Sequence, residues 1–493
     1  MKLKDVLRDI PLLHLSGNDQ EEIQGLAYSS KAVQPGFLFA ALRGEKKDGN
    51  DFVEEALSRG AAAILSEKPR PQNFLATWIH VSDAREALAL CSASFYSHPS
   101  RMMKVVGITG TKGKTTITYL LEDILKKANF VPGVIGTISY RGPEIMVQAT
   151  RTTPEAPDLQ KIMMEMVLRG VTHCLIEVSS HALDLKRVWG ISFDIALFTN
   201  LSGEHQDYHK SMETYFEAKR KLFFMANNNK KRVAVVNADD PWGKKLISEL
   251  PLSTISYGLE PASIVRAERY RLNSSGLEVT INYPGGRTTI ASPLLGKHNL
   301  YNVLASVATA LALNIPFQTI KEGIFSLAGV PGRFEKIENS LGLHIFVDYA
   351  HTDDALRNLL ESVRELKPAR ILLVFGAGGD RDKAKRERMG EVAGRLADWT
   401  FLTSDNPRFE DPSAIISDIE IGLKKTGTKN YRIQSDRKRA IEEALSLAKK
   451  GDYILVAGKG HETYQTIRDQ NIPFNDAEVI REILKKMKAA DKW

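Results

Sequence analysis

The sequence predicts an α/β protein with a small N-terminal α/β domain, a central parallel sheet carrying appended antiparallel strands, and a C-terminal α/β domain. Three observations favour this. The 493 residues exceed what one hydrophobic core usually organises. From Lys104 onwards, short apolar runs alternate with helical patterns, as in parallel sheets. Residues 277–283 alternate strictly and meet the turn Pro284-Gly285-Gly286, which predicts a hairpin. The expected domains are 1–102, 103–332 and 333–493.

The composition is typical of a folded chain that is not embedded in a membrane. Apolar residues make up 43% and charged residues 26% of the sequence. No run approaches the roughly 18 consecutive apolar residues of a membrane span. The charged start, Met1–Asp9, does not resemble a signal peptide, so we expect a cytoplasmic protein. Cys91 and Cys174 both lie in apolar stretches, which favours buried thiols over a disulfide.

The formal net charge is +7, but basic and acidic residues are interleaved along the chain. A nucleic-acid-binding protein usually concentrates its basic residues in an arm or patch, whereas small anionic substrates need no such arm. We therefore expect small anionic substrates and no nucleic-acid partner. We also expect no membrane partner and a monomer.

The first hundred residues predict a small α/β unit. A polar turn leads into a short strand within 29–42, a helical segment follows at 51–59, and a second strand is predicted at 61–65. The unit ends near His98-Pro99, where the central domain begins.

A glycine-rich turn joins a buried strand to a helix at 107–116, which reads Gly-Ile-Thr-Gly-Thr-Lys-Gly-Lys-Thr-Thr. In such a turn, backbone N–H groups converge on phosphate oxygens, Lys114 can reach the outer phosphates, and Thr115 can offer its hydroxyl to Mg²⁺. The general phosphate-loop pattern has glycine where this chain has Ile108. A strand-to-helix turn without a ligand is the alternative, but the Gly-Lys-Thr-Thr context favours nucleotide binding.

Polar residues follow the apolar strands at six points: 177–181, 199–200, 237–240, 348–351, 376–381 and 458–462. Ligands of open parallel sheets bind at the carboxyl ends of the strands. These clusters therefore predict two ligand-binding sheet edges, which would form one composite site if they faced each other.

Several side chains have competing explanations. Glu177 is placed to support Mg²⁺, although a helix cap at Ser179 or Ser180 would also explain the polar cluster. His205 and His209 have the spacing of a zinc pair, but no third ligand is obvious, and ordinary loop histidines explain them equally well. Lys219 lies on a predicted amphipathic helix, where a lysine usually belongs to the solvated face.

The segment Asp405-Asn406-Pro407-Arg408 follows a predicted strand. An Asx-Pro turn explains its first three residues but does not require Arg408, whose guanidinium group suits bidentate recognition of a carboxylate. With Arg381 in the preceding loop, two arginines could meet one doubly anionic ligand, and Glu462 could hold an ammonium group.

Together these motifs resemble the Mur ligases of bacterial cell-wall synthesis. The resemblance runs along the whole chain in order, through the segments 110–116, 177–181, 296–302, 331–333 and 348–352. It implies a three-domain architecture with a central P-loop domain that binds ATP, an N-terminal domain that binds a UDP-linked substrate, and a Rossmann-like C-terminal domain that binds an amino acid. Residues 405–408 are similar to the signature of ligases that add meso-2,6-diaminopimelate. Ligases of this type that add lysine generally lack the arginine found here at position 408.

The resemblance also implies roles for individual residues. Lys114, Glu177, His205 and Lys219 would be catalytic; Thr115, Glu177 and His205 would serve Mg²⁺, and Lys219 would be carbamylated to N6-carboxylysine and serve a second Mg²⁺. ATP, as substrate, would be bound by Gly110, Thr111, Lys112, Gly113, Lys114, Thr115, Thr116, Asn299, Arg333 and Asp348.

The resemblance also implies which residues bind the other two substrates. UDP-N-acetylmuramoyl-L-alanyl-D-glutamate would be bound by Ser30, Thr152, Thr153, Ser179 and Arg187. Diaminopimelate would be bound by Arg381, Asp405, Asn406, Pro407, Arg408, Gly458 and Glu462. This chain has Ser29-Ser30-Lys31 where relatives usually have Asp-Ser-Arg, and Leu185 where some have a substrate-binding glutamine, but no reacting group is lost.

The implied activity is ATP-dependent amide-bond formation through an acyl phosphate. Two alternatives stay open on the residues. Another amide ligase of the same superfamily, adding lysine or glutamate, would share most motifs but does not require Arg408. A nucleotide-driven switch would bind or hydrolyse ATP without an amino-acid acceptor.

Overall fold

A computed structural model describes residues 1–44, 47–72, 74–204, 206–225, 232–250, 253–273 and 275–489. The chain forms two compact units. The first comprises Met1–Arg269, Thr280–Ile290 and Tyr301–Ser326, and the second comprises Tyr270–Val279, Ala291–Leu300 and Leu327–Trp493.

The N-terminal segment of the first unit forms a five-stranded sheet of order β1-β5-β4-β3-β2. Its strands are β1 Leu12–Ser16, β2 Gly25–Ala27, β3 Phe37–Ala40, β4 Ala63–Ser66 and β5 Thr77–Val81, and its helices are α1 Leu3–Val6, α2 Val53–Ser58 and α3 Ala84–Phe95. Both predicted strands are present. The helix predicted at 51–59 is split into a 3₁₀ turn, Gly49–Phe52, and α2; Asp48 caps the start of the 3₁₀ turn by accepting from Asn50 N.

A central sheet has eleven strands in the order β16-β15-β14-β13-β12-β11-β6-β10-β7-β8-β9. The strands are β6 Lys104–Thr109, β7 Pro132–Ile135, β8 Ser139–Gly142, β9 Ile145–Gln148, β10 His173–Glu177, β11 Ile195–Phe198, β12 Val233–Asn237, β13 Ser253–Gly258, β14 Val265–Asn273, β15 Gly276–Tyr283 and β16 Gly286–Ser292. The helices are α4 Lys114–Lys127, α5 Ala156–Leu168, α6 Ser180–Asp184, α7 Gln206–His209, α8 Met212–Phe224, α9 Pro241–Glu249, α10 Lys297–Ala312 and α11 Phe317–Ser326.

The strands around β6 are parallel, as predicted. β6 lies between β10 and β11, and both pairings are parallel, so the polar residues at their carboxyl ends share one sheet edge. β15 and β16 form the predicted hairpin, with strand ends within two residues of expectation. The antiparallel hairpin β8–β9 has no counterpart in the sequence prediction.

The second unit contains a six-stranded sheet of order β17-β18-β22-β19-β20-β21 and a separate hairpin, β23–β24. The strands are β17 Glu335–Ile337, β18 His344–Asp348, β19 Ile371–Phe375, β20 Trp399–Leu402, β21 Tyr431–Ile433, β22 Tyr453–Ala457, β23 Tyr464–Ile467 and β24 Gln470–Pro473. The helices are α12 Asp353–Glu365, α13 Ala384–Leu396, α14 Pro412–Lys425, α15 Arg437–Leu447 and α16 Asp476–Ala489.

This second sheet is covered on both faces, which explains the continuous apolar run of β19. Leu373 and Phe375 pack in a cluster with residues of α12, α13 and α14. Leu372 and Val374 point to the other face and pack with residues of α15 and α16. Because successive strand residues face opposite ways, a doubly covered strand is apolar at every position. None of the described helices is both long and apolar enough to cross a membrane.

Candidate active site

The phosphate-binding turn connects β6 to α4, as the sequence predicts. Gly110 has a φ of 141° and Gly113 a φ of 91°, a region that favours glycine. A Cβ atom on Gly110 would lie 1.8 Å from Thr199 Oγ1. Both glycines are therefore required by the backbone path and by close packing. The first turn of α4 has N–H groups without helical partners, which suit an anionic ligand.

The segment after β11 braces this turn. Asn200 Oδ1 accepts from the backbone of Lys112 at 3.0 Å, and its backbone carbonyl accepts from Thr111 N at 2.8 Å. Thr199 Oγ1 donates to the carbonyl oxygen of Lys112 at 2.7 Å. Thr199 and Asn200 were identified from the sequence as a polar pair at a strand end, with no role assigned. The structure shows that they hold the phosphate-binding turn in place.

Lys114 folds back over the turn. Its Nζ donates to the carbonyl oxygens of Gly110 and Thr111, both at 2.8 Å. The ammonium group is thus held at the turn that would cradle the phosphates, within the first helical position of α4.

Lys219 is buried, so its placement on a solvated helix face is wrong. Its residue exposure is 1%, and Nζ donates to the carbonyl oxygen of Gly110 at 2.9 Å. The ammonium group also lies 4.5 Å from the ring centroid of Tyr215. Burial, reinforced by the nearby charge of Lys114, lowers the pKa of Lys219 well below its usual range, while Glu204 acts in the opposite direction.

Glu177 ends β10 and is almost completely buried, with an exposure of 1%. Its carboxylate accepts from Thr115 Oγ1 at 3.0 Å, from Thr137 N at 3.0 Å and from Thr137 Oγ1 at 2.8 Å. A Cβ on Gly136 would lie 2.4 Å from Glu177 Oε1, so glycine is needed there. Sequence reasoning missed Thr137, although it follows β7, a parallel neighbour of β10, and the strand-end rule could have found it.

Three residues predicted to bind the UDP-linked substrate belong to the hydrogen-bond network around Glu177. Thr153 Oγ1 donates to the carbonyl oxygen of Glu177 at 2.7 Å and accepts from Ser179 N at 3.1 Å. Thr152 Oγ1 lies 3.1 Å from Thr137 Oγ1. Ser179 also caps α6 by accepting from Ala182 N at 3.2 Å, so the capping explanation holds as well.

Arg187 extends this network. Its Nη1 donates to the carbonyl oxygen of Thr153 at 3.2 Å, and its Nη2 pairs with Glu155 at 2.9 Å. Arg151 pairs with the same carboxylate. Glu155 therefore holds two guanidinium groups next to the threonine pair.

Ser30 makes its hydrogen bond elsewhere, donating from Oγ to Glu55 at 2.8 Å. Two residues earlier, Tyr28 donates its hydroxyl to Asp158 on α5 at 2.7 Å. Tyr28, Arg151 and Asp158 are among the residues that line a cavity of about 320 Å³.

Among the histidines, His205 lies outside the described residues. His209 is buried, with its Nε2 2.9 Å from Ser180 Oγ and its ring stacked on Tyr215. Across the described part of the chain, no three His, Cys, Asp or Glu side chains form a metal-binding group.

A second polar cluster lies in the second unit, at the carboxyl ends of β20 and β22. Asn406 Oδ1 accepts from Lys459 Nζ at 3.0 Å and from Thr466 N at 2.9 Å, and its Nδ2 donates to Glu462 at 2.8 Å. Lys459 has 0% exposure and also donates to Glu462 at 2.9 Å. Glu462 therefore already holds one ammonium group, that of Lys459, which sequence reasoning missed.

Asp405 and Gly458 meet in this cluster. Asp405 is buried; one carboxylate oxygen accepts from Asn406 N at 2.7 Å, and the other has no hydrogen-bond partner among the described residues. A Cβ on Gly458 would lie 2.5 Å from that second oxygen. Glycine is therefore needed at position 458, because a side chain there would collide with this buried oxygen.

Arg408 and Arg381 both approach Gly378. A Cβ on Gly378 would be 3.0 Å from Arg408 Nη1 and 3.9 Å from Arg381 Cγ. Arg408 Nη1 donates to the carbonyl oxygen of Gly379 at 2.7 Å. Arg408 follows Pro407 and lies in the left-handed region, with a φ of 51°.

The remaining predicted nucleotide contacts are also in the second unit. Asp348 ends β18 and accepts from Ala350 N at 2.8 Å and Phe334 N at 2.7 Å. The guanidinium carbon of Arg333 lies 4.8 Å from the Tyr349 ring centroid, and its buried Nε has no partner among the described residues. Asn299 is buried and donates from Nδ2 to the carbonyl oxygen of Leu295 at 2.7 Å.

Comparison with known proteins identifies the family through three sequence profiles. The sequence profile described as "Mur ligase middle domain" matches residues 108–310, "Mur ligase, glutamate ligase domain" matches 332–460, and "Mur ligase family, catalytic domain" matches 22–96.

Similar curated proteins cover nearly the full chain. The UDP-N-acetylmuramoyl-L-alanyl-D-glutamate–2,6-diaminopimelate ligase of Solibacter usitatus is 44% identical over 94% of both chains. The ligase of the same name from Geobacter metallireducens is 44% identical over 97% of this chain and 98% of its own. A solved structure of a ligase with that name matches 99% of both chains, with 29% identity and a TM-score of 0.72. The chain belongs to the Mur ligase family.

Proposed function

We propose that this protein is an ATP-dependent amide ligase that joins meso-2,6-diaminopimelate to UDP-N-acetylmuramoyl-L-alanyl-D-glutamate. The observation that carries the proposal is the position of Lys219. A buried lysine with a lowered pKa shares a carbonyl oxygen of the phosphate-binding turn with Lys114. The relatives named for this reaction, at 44% identity over nearly the whole chain, support the choice of substrates.

The residues present fit Mg²⁺. Mg²⁺ prefers oxygen ligands and is usually held by one or two carboxylates together with substrate phosphates. Glu177 and Thr115 supply a buried carboxylate and a hydroxyl, 3.0 Å apart, beside the phosphate-binding turn. We assign these two residues, with His205, to Mg²⁺. When bound, the metal would offset phosphate charge.

Lys219 is suited to carbamylation. An unprotonated amine attacks CO₂, forms a nitrogen–carbon bond and releases a proton, which leaves a carbamate with one negative charge. Because burial and Lys114 lower the pKa of Lys219, its amine is unprotonated more often than that of an exposed lysine. The product would serve as a further oxygen ligand for Mg²⁺ near the turn.

The reaction then requires two steps. A carboxylate oxygen of the D-glutamyl residue attacks the γ-phosphorus of ATP, and ADP leaves. The diaminopimelate amine attacks the resulting acyl phosphate, phosphate leaves with the carbon–oxygen bond electrons, and the amine loses a proton. Lys114 and the turn would offset the charge that accumulates as anionic groups approach.

The other proposed contacts divide by unit. Ser30, Thr152, Thr153, Ser179 and Arg187 would bind the UDP-linked substrate, and Asn299, Arg333 and Asp348 would complete the ATP contacts. Arg381, Arg408, Asp405 and their neighbours would bind diaminopimelate, with the guanidinium groups facing a carboxylate. We retain the division into domains 1–102, 103–332 and 333–493, which the three separate main sheets support.

The test is phosphate release by the purified protein with ATP, Mg²⁺ and the UDP-linked dipeptide, plus either diaminopimelate or lysine. We expect release and tripeptide formation with diaminopimelate only. Equal use of lysine would indicate another amide ligase of this superfamily. Release without any amino acid, and without an amide product, would indicate a nucleotide-driven switch.

A further inference from the structure

Two loops of the second unit are joined by hydrogen bonds: the first loop, residues 378–381 after β19, and the second loop, residues 403–411 after β20. Gly379 N donates to the carbonyl oxygen of Asn406 at 2.9 Å, and Arg408 Nη1 donates to the carbonyl oxygen of Gly379. A Cβ on Gly379 would lie 1.9 Å from the carbonyl oxygen of Pro407. The loop 378–381 therefore fixes where the Arg408 side chain can lie.

A buried ion pair holds the first loop in place. Arg386 on α13 has 0% exposure, and its Nη1 and Nη2 donate to Glu410 at 2.9 and 2.8 Å. Arg386 Nη2 also lies 3.3 Å from the carbonyl oxygen of Gly378, and Glu410 accepts from Asp380 N at 2.6 Å. Glu410 belongs to the second loop, so its carboxylate holds the first loop both directly and through Arg386.

We propose that Glu410 and Arg386 form a clamp that positions the guanidinium group of Arg408, which makes Glu410 a specificity-determining residue that acts through Arg408. The inference rests on the proposed function, because it assigns the positioned group to the second carboxylate of diaminopimelate. Glu410 is a positioning residue in this scheme, and the contact with the ligand belongs to Arg408.

The conformation of Arg408 explains why a clamp is needed. Its φ of 51° lies in the left-handed region, which is strained for a residue with a side chain and persists only where the surroundings enforce it. Backbone bonds with Thr466 and Arg468 hold the residue from one side. The loop 378–381, fixed by Glu410, holds the guanidinium end.

The charge state of Glu410 agrees with this role. The hydrogen bonds and charge of Arg386 lower the pKa of Glu410 to about 2. The carboxylate is therefore ionised throughout the pH range of ordinary enzyme assays, and both oxygens act as acceptors.

Asp418 provides a matched control. It lies on α14 and accepts from the same guanidinium group, at Arg386 Nη1, at 2.9 Å. Within the described part of the chain its hydrogen bond is with Arg386 alone, so it makes no hydrogen bond to either loop. A variant at Asp418 removes charge from Arg386 without releasing the loop 378–381.

The experiment compares Glu410→Gln with Asp418→Asn in steady-state assays of the full chain. We expect Glu410→Gln to raise the KM for diaminopimelate by about tenfold or more and to lower the ratio of kcat/KM for diaminopimelate to that for lysine. The KM for ATP should stay within about twofold of the wild-type value. Asp418→Asn should leave both KM values and the diaminopimelate-to-lysine ratio within about twofold of the wild-type values. An unchanged KM for diaminopimelate in Glu410→Gln, or equal changes in both variants, would overturn the clamp.

Hydrogen exchange of peptides covering 376–381 supplies a readout that does not depend on turnover. Glu410→Gln should speed exchange at Asp380 about tenfold or more, whereas Asp418→Asn should not. If Glu410→Gln does not fold, Glu410→Asp can be measured instead. It keeps the negative charge on a side chain that is one methylene group shorter, so exchange at Asp380 should speed up, but by less than in Glu410→Gln. A wild-type protein that makes no tripeptide would refute the proposed function, while unchanged exchange in the Glu410 variants would refute the clamp.

Discussion

Lys114 and Lys219 donate to the same oxygen atom, the carbonyl oxygen of Gly110, at 2.8 and 2.9 Å. Two ammonium groups on one acceptor repel each other, and Lys219 is buried whereas Lys114 is half-buried. Burial and the charge of Lys114 therefore lower the pKa of Lys219 well below its usual range. The arrangement prepares Lys219 for conversion into an anion, which would turn repulsion between the two side chains into attraction.

Replacing Lys219 with alanine should lower kcat by at least about a hundredfold, because a charged group near the transferred phosphoryl group is removed. Wild-type activity should also fall in buffer stripped of CO₂ and return on addition of bicarbonate. Phosphate release measures both effects. Lys221→Ala is the control, since Lys221 lies on the same helix but pairs with Asp184 at the surface. A Lys219→Ala protein as active as Lys221→Ala would contradict this role.

Part of this site was predictable from the sequence because its chemistry is local. The turn at 107–116 and the segment Asp405-Asn406-Pro407-Arg408 are contiguous, and strand-end position pointed to Glu177. The burial of Lys219 was not predictable, since the helical pattern around it resembles an ordinary amphipathic helix. Its ammonium group bonds to Gly110, which is more than a hundred residues away in the chain.

The same reason explains the contacts that were missed. Thr137 and Lys459 acquire their roles only when parallel strands bring distant loops to one edge. A glycine precedes Thr137 and another precedes Lys459, so the local sequence shows only turns. The fold was easier to predict, because the alternation of apolar strands and helices is repeated many times along the chain.

Thr137→Val should raise the Mg²⁺ concentration required for half-maximal activity several-fold. Valine has nearly the same shape but lacks the hydroxyl that donates to Glu177 at 2.8 Å, so the carboxylate loses one of the bonds that fix its orientation. Mg²⁺ titration of phosphate release tests this. Thr280→Val removes an exposed hydroxyl from β15 and should leave the titration unchanged. A Thr137→Val titration that overlays the wild-type curve would mean that Glu177 is oriented by other groups.

Arg408→Ala should greatly weaken the use of diaminopimelate while sparing ATP binding. Loss of a charge-assisted contact to a carboxylate in a site shielded from water costs on the order of 2–5 kcal/mol, or roughly 30-fold to several thousand-fold in kcat/KM. Arg439→Ala, on an exposed face of α15, is the control. Initial rates at varied diaminopimelate concentration give the result. An unchanged KM for diaminopimelate would refute the assignment of Arg408.

Gly110→Ala should abolish ATP binding or prevent stable folding. The new methyl group would meet Thr199 Oγ1 at 1.8 Å, and φ at this position is 141°, so neither space nor backbone conformation accommodates it. Gly329→Ala is the control, because nothing lies within 4 Å of a Cβ placed there. Thermal unfolding with and without ATP would measure both effects. A Gly110→Ala protein that is stable and still stabilised by ATP would show that the turn can adopt another path.

Part of the decrease in the free energy of unfolding at acid pH should come from His173, on β10. Burial lowers the pKa of His173 to about 4, helped by the nearby charge of Lys104, whereas an unfolded histidine titrates near about 6.5. As the pH falls from about 6.5 to about 4, the unfolded chain takes up this proton and the folded chain does not, so the free energy of unfolding decreases, by at most about 3 kcal/mol. Above pH 6.5 the group contributes no pH dependence. Chemical denaturation at several pH values should therefore show that the free energy of unfolding changes less with pH for His173→Gln than for the wild type. His14→Gln, at an exposed position on β1, is the control and should keep the wild-type dependence on pH. Equal slopes for His173→Gln and the wild type would show that the proton uptake belongs to other groups.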